Sequence, residues 1–303
     1  MQNYSFPANY GKAMRLFMPR GLLSFATFAA DMTEKRFLFV AALLLCVLMA
    51  GPAANARRGA DSCVYTRGGI TQLNPAERSV ALVFTAADMA DGADTIISTL
   101  RRCKVRGHFF FTGRFFEKFP GVVRRLVKDG HYVGCHGYSH LLYFPWDRSD
   151  TMLVSRAEFR SDMRRAYNKM AEFGIKRKKA YYFIPPYEHY NDTVAAWARE
   201  MGLQLINNTY GTLTYGDYTT PDMKRYYSSD YIMERTLRMA AEKPRGINGH
   251  ILLIHLGTSE KRPDKFYNRL PELIGRLKSM GYEFADLSKV IPRPKAQSLP
   301  LEW

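Results

Sequence analysis

Between Ser79 and Ala285 short apolar runs alternate with segments of helical period. Short runs rich in Val, Ile, Phe and Tyr, closed by turn residues, mark buried strands. They predict strands at Ser79 to Phe84, His108 to Thr112, His131 to Cys135, Ala180 to Ile184, Leu203 to Asn207, His250 to His255 and Tyr282 to Ala285. Helices are expected between them at Gly92 to Arg102, Gly121 to Lys128, Arg156 to Phe173, Asp192 to Met201, Asp230 to Ala241 and Lys265 to Met280. Several of these end at a glycine (Gly130, Gly174, Gly202, Gly281) able to take the left-handed conformation that stops a helix. About seven such units in succession predict an α/β fold with a parallel sheet, closed into a barrel or, as the second possibility, open and doubly wound. In either architecture chemistry sits where strands end and loops begin.

The N-terminal part has another pattern. Lys35-Arg36 precede an unbroken apolar run from Phe37 to Ala50, then Gly51-Pro52 and the small residues Ala54-Asn55-Ala56. A basic start, an apolar stretch and a small-x-small site read as an export signal cleaved after Ala56, and Met32 is its natural start. The run falls short of the roughly 20 residues that span a bilayer; an uncleaved anchor is the alternative. The expected organisation is an N-terminal extension and signal over 1–56, a lead-in over 57–78, one α/β domain over 79–292 and a tail over 293–303. The product would be periplasmic or extracellular, with no stable membrane span after cleavage.

Composition narrows the function. With 47% hydrophobic residues, 22 Gly and 15 Pro in 303 residues, the chain is not collagenous, repetitive or largely disordered. Removal of residues 1–56, which carry five basic and two acidic side chains, lowers the net charge from +16 to +13. Such a field favours anionic partners, an envelope polymer among them. Nucleic acid is not expected, because export opposes it and no zinc-finger or Gly-rich pattern supports it. Cys63, Cys103 and Cys135 permit at most one intramolecular disulfide, so this is no disulfide scaffold.

Four strand ends carry candidate chemistry. His136 and His140 follow the strand ending at Cys135; if that loop takes one helical turn, both imidazoles face one way and can hold a metal. Asp88 and Asp91 follow the first strand, one able to complete a two-His, one-carboxylate set while the other acts as base. Asp94 is read as an acid favouring the helix dipole. Pro185-Pro186 force an extended corner that presents Tyr187 rigidly, and His255 ends a hydrophobic strand as a possible general acid. Tyr143, Trp146, Tyr190 and Tyr210 lie near these motifs and offer flat faces for sugar rings.

Taken in order, VALVF followed by Asp-Gly, HFFFTG, GHYVGCHGYSH, FIPPY and LLIHLG resemble the motifs of the polysaccharide deacetylase family, carbohydrate esterase family 4, over Val80 to Leu287. The resemblance implies a distorted (β/α)7 barrel of the NodB-homology type that hydrolyses acetyl groups, most often N-acetyl, on a polysaccharide or envelope glycan with a divalent metal, commonly zinc. It makes His136 and His140 metal ligands and His255 the general acid; Tyr187, Pro186, Trp146 and Tyr190 are taken as the substrate-binding set from the rigid corner and the flat rings near it. Two motifs depart from the family. Its usual Thr-Phe-Asp-Asp-Gly is here Val83-Phe84-Thr85-Ala86-Ala87-Asp88-Met89-Ala90-Asp91-Gly92, so an ungapped alignment sets Thr85 and Ala86 at the acidic positions. Alignment on Asp-Gly would make Asp91 the metal ligand; closeness to the strand end favours Asp88, with Asp91 then the base, and this second order is adopted. Ile184 stands where the family has an Arg, with His189 or Lys179 as substitutes. The alternative function is a glycan-binding protein that kept the fold and lost the reaction.

Overall fold

Strand β3 (Ser79–Ala86) is buried along its whole length, and its alternation sorts its side chains into two cores. Val80, Leu82 and Phe84 join the layer between sheet and helices, while Ala81 and Val83 join a cluster inside the curl of the sheet. In this computed structural model, which describes residues 62–291, β3 pairs in parallel with β4 (His108–Phe111) and with β8 (His250–His255). From β4 the parallel pairing continues through β5 (Tyr132–Cys135), β6 (Tyr182–Phe183) and β7 (Gln204–Leu205). From β8 it passes to β2 (Gly69–Gln72), which is antiparallel and pairs in turn with β1 (Val64–Thr66). A parallel bridge from Ile70 to Ile206, with the Asn207 N–H donating to the Ile70 carbonyl at 2.8 Å, joins β2 to the end of β7. The sheet thus curls into the expected distorted barrel. The expected signal segment at 32–56 and the expected tail at 293–303 lie outside the described residues.

The helices are α1 (Ala93–Cys103), α2 (Gly113–Lys118), α3 (Pro120–Lys128), α4 (Arg156–Ala171), α5 (Asp192–Glu200), α6 (Ser229–Ala241), α7 (Leu270–Ser279) and α8 (Leu287–Val290). Helix α4 opens on a capping box between Ser155 and Glu158, worth about 1 kcal/mol. Among the described residues no helix is long and apolar enough to cross a membrane.

Three differences from the sequence reading have local causes. The lead-in is not structureless: β1 and β2 form a hairpin through Arg67 (φ 45°) and Gly68 (φ 78°), a two-residue turn with both central residues left-handed. Helix α7 starts at Leu270 rather than Lys265, because Pro271 sets its first turn and Phe266–Arg269 forms a 3-10 turn ahead of it. Helix α2 was absent from the reading; Thr112 ends the strand and caps it, its hydroxyl accepting the Phe115 N–H at 3.1 Å.

Candidate active site

The alternation that fills the barrel also furnishes its mouth. Ala81 and Val83 point inward, and two places on stands Thr85; Phe110 is followed likewise by Thr112, Tyr132 by Gly134 and His136, and Ile251 and Leu253 by His255. Thr85, Thr112, His136 and His255 all line one cleft of ≈ 520 Å³ at the C-terminal ends of the strands. Ile184, just past β6, obeys the same rule two places after Tyr182 and ends up in the inner core at 0% exposure.

His136 is 2% exposed, and its Nδ1–H donates to the Ile184 carbonyl at 2.8 Å, which leaves the Nε2 lone pair available. The loop after it is no helical turn, contrary to the spacing argument. Gly137 (φ 75°) and His140 (φ 57°) bend it through left-handed conformations, and Asp162 of α4 accepts the N–H groups of Tyr138 and Ser139 at 2.7 and 3.0 Å. The imidazoles of His136 and His140 nevertheless come together, with ring centroids 5.1 Å apart. Burial, followed by the charge of His140, holds His136 well below the usual range. Burial and His255 push His140 down to about 4, so both rings are neutral at pH 7.

His255 is the opposite case. Burial pulls its pKa down, but Asp217, 0% exposed, more than offsets this by charge and hydrogen bonding, and the imidazole is held above its ordinary value. The Nδ1–H donates to Asp217 Oδ1 at 2.6 Å, and the backbone N–H of His255 to Oδ2 at 3.0 Å. Asp217 was missed from sequence: it follows a short 3-10 turn, Thr214–Gly216, in an irregular stretch whose composition carries no such signal.

The acids of the first strand end differently. Thr85 Oγ1 is buried without a hydrogen-bond partner, and Ala86 has nothing to offer. Asp88 lines the cleft from an exposed position. Asp91, expected as the base, is not in the lining. Its carboxylate accepts the Thr258 N–H at 2.9 Å and the Tyr267 hydroxyl at 2.6 Å, with Lys265 Nζ 3.4 Å away. It ties the loop after β3 to the loop after β8, and Gly257 leaves it room, since a Cβ there would sit 2.5 Å from Asp91 Oδ1. Among the described residues no three His, Cys, Asp or Glu side chains gather as a metal set. His136 and His140 supply two nitrogens, but Asp88 does not join them, so the residues do not fit the three-ligand centre that the motifs implied.

A different carboxylate lines the cleft, Glu188, which sequence reading passed over as part of a rigid corner. Burial pushes its pKa up to about 7, with His255 opposing and Asp217 adding to the rise. Tyr187 and Trp146 line the cleft as expected and are 44% and 65% exposed. Tyr218, unforeseen, lies across His255 with ring centroids 5.3 Å apart. Pro186 and Tyr190 do not line it. Pro186 is buried behind Gly137, and Tyr190 is packed in the core with its hydroxyl on the Thr66 carbonyl at 2.7 Å. Tyr143 is likewise core, at 1% exposure. Neither proposed stand-in for the absent Arg reaches the cleft: His189 stacks between Phe144 and Trp146 at 4.0 and 4.2 Å, and Lys179 precedes β6, at the strand's other end. The cation that does line the cleft is Arg114.

A barrel of this connectivity, with two histidines after β5 and one after β8, defines the class of NodB-type deacetylase folds. Residues 72–206 match the model of the polysaccharide deacetylase family. A peptidoglycan-N-acetylglucosamine deacetylase of Bacillus cereus is 24% identical over 219 residues, 71% of this chain and 69% of the relative. The peptidoglycan-N-acetylmuramic acid deacetylase PdaA of Bacillus subtilis is 20% identical over 219 residues, 72% of this chain and 73% of the relative. Among solved structures, a CE4 family pseudoenzyme from Bacillus anthracis superposes with a TM-score of 0.58 at 21% identity, covering 76% of this chain and 70% of that one.

Proposed function

We propose that this protein removes acetyl groups, N-acetyl foremost, from a cell-envelope glycan. One observation carries the reading: a single cleft gathers two neutral imidazoles, a carboxylate and the Asp217-backed His255, beneath the exposed rings of Trp146, Tyr187 and Tyr218. The relatives named for peptidoglycan deacetylation support the substrate class, and the segment from Lys35 to Ala56 supports export to meet it. The aromatic rings would stack on sugar faces. The Tyr187 N–H, in the first turn of a 3-10 segment and so without an intrahelical acceptor, is suited to a developing oxyanion. His255, whose pKa Asp217 raises above the ordinary imidazole value, would give its Nε2 proton to the departing nitrogen. A divalent ion would meet two imidazole nitrogens, His136 and His140, rather than the three-ligand centre of the motif expectation.

Acetate release from acetylated chitooligosaccharide and from peptidoglycan tests the reading; release is expected, with a loss of about 10²-fold or more in His255→Ala. The second reading, glycan binding without turnover, is favoured by Thr85 and Ala86 at the first strand end. Binding of the same oligosaccharides with no acetate from the unaltered protein would establish it instead.

A further inference from the structure

We propose that Glu188, at the tip of the turn after β6, is the general base of this cleft, in the place that the sequence reserved for an aspartate after β3. The inference rests on the deacetylase reading and names its missing proton acceptor.

Elimination among the carboxylates leads there. Two carboxylates line the cleft, Asp88 and Glu188. Asp88 is exposed, and a base shared with bulk water gains little from its surroundings. Asp91 is held by Thr258, Tyr267 and Lys265 away from the lining, and Asp217 is fully buried behind His255. Glu188 is half-buried, and its carboxylate accepts no described hydrogen bond.

The turn that carries it is constrained. Tyr187 and Glu188 are consecutive non-glycine residues at φ 60° and 54°, a backbone that L side chains avoid and that persists only where surrounding structure fixes it. Here the Glu188 N–H donates to the Pro185 carbonyl at 3.0 Å, and Asn207 Nδ2, on a 0% exposed residue, donates to the Glu188 carbonyl at 2.7 Å. Such an arrangement presents one side chain accurately.

Its electrostatic surroundings suit the task. His255 comes from β8 and Asp217 from the irregular stretch between β7 and α6; Tyr210 and Tyr218 have pKa values raised by burial and then by the Glu188 charge; Tyr187, His136, His140, Asp88 and Arg114 complete the titratable lining. With its pKa pushed up to about 7, Glu188 is matched to proton abstraction near neutrality. The step balances as follows. A water oxygen bonds to the acetyl carbon as one of its protons passes to Glu188. The C–N bond breaks with its electron pair on nitrogen, which takes the proton of His255. Acetic acid and the free amine leave, and the proton on Glu188 returns through solvent to His255.

The test is the pH profile of kcat/KM for acetate release by the full chain and by Glu188→Gln and Asp88→Asn. The unaltered protein should lose activity below about pH 7, where Glu188 takes up a proton. Glu188→Gln should lose about 10²- to 10⁴-fold and its acid limb with it, more than Asp88→Asn loses. Retention of the limb in Glu188→Gln, or a larger loss in Asp88→Asn, overturns the assignment while leaving the deacetylase reading intact. An unaltered protein that releases no acetate overturns both. Should Glu188→Gln fail to fold by circular dichroism, Glu188→Asp serves: a shortened carboxylate should keep the acid limb at reduced rate, and a full rate would contradict the role.

Discussion

The end of β3 and the turn after β6 open into the same cleft and are furnished in opposite ways. At β3 the inward-facing position is Thr85 with an unsatisfied hydroxyl, Ala86 follows, and the nearest acids are exposed at Asp88 or committed to the loop beyond at Asp91. At β6 the inward position is the apolar Ile184, yet two corners later Glu188 delivers a half-buried carboxylate toward His255. A barrel mouth is a ring of strand ends, and any of them can supply a given functional group provided the backbone holds it there. What is lost at one end can be replaced from another without changing the fold.

That comparison can be broken most forcefully by putting Arg at Ile184. With no acid at the end of β3 for it to orient, the guanidinium would enter the inner core unpaired, and a stability loss of about 3–5 kcal/mol is expected in denaturant unfolding. Unchanged stability would mean that position 184 has polar company that the inner core does not contain. Next, Asp217→Asn removes the charge that raises the His255 pKa. Activity should fall by roughly 10²-fold, and the basic limb of the pH profile should move down, since the acid must be protonated and its pKa falls when the anion is gone; a basic limb that stays put would separate Asp217 from His255. The smallest effect belongs to Asp91→Asn. It should cost about 1–2 kcal/mol of stability through the Tyr267 and Thr258 contacts and change kcat by less than threefold; a collapse of kcat in a stable variant would return the base to β3.

Much of this was legible in the sequence where local pattern and structure agree. All seven predicted strands form; those at Ser79–Ala86, His108–Phe111, Tyr132–Cys135 and His250–His255 are apolar runs buried on both faces, one on helices and one inside the barrel, while the last is only Glu283–Phe284, paired in parallel with β3 and with Glu283 exposed. β6 and β7 pair for two residues only. His136 and His255 stand at the ends of such runs and His140 follows four residues after His136, which makes the three legible. The hairpin of β1 and β2 escaped notice because its turn uses Arg67-Gly68, a weak signal. Asp162 and Asp217 escaped because their roles are fixed by contacts far along the chain, Asp162 to the 138–139 amides and Asp217 to His255. Glu188 carries no signal of its own: nothing in a Pro-Pro-Tyr-Glu string reveals that the corner turns left-handed twice and brings the fourth residue to the cleft.

Chemical rescue tests directly which residue supplies the carboxylate. Glu188→Gly keeps a residue that accepts φ 54° while deleting the acid. Added formate should restore acetate release in proportion to its concentration, with no such effect on the unaltered protein. Activity of Glu188→Gly equal to the unaltered protein, or a folded variant that formate leaves inactive at every concentration, would contradict the assignment of the base to Glu188.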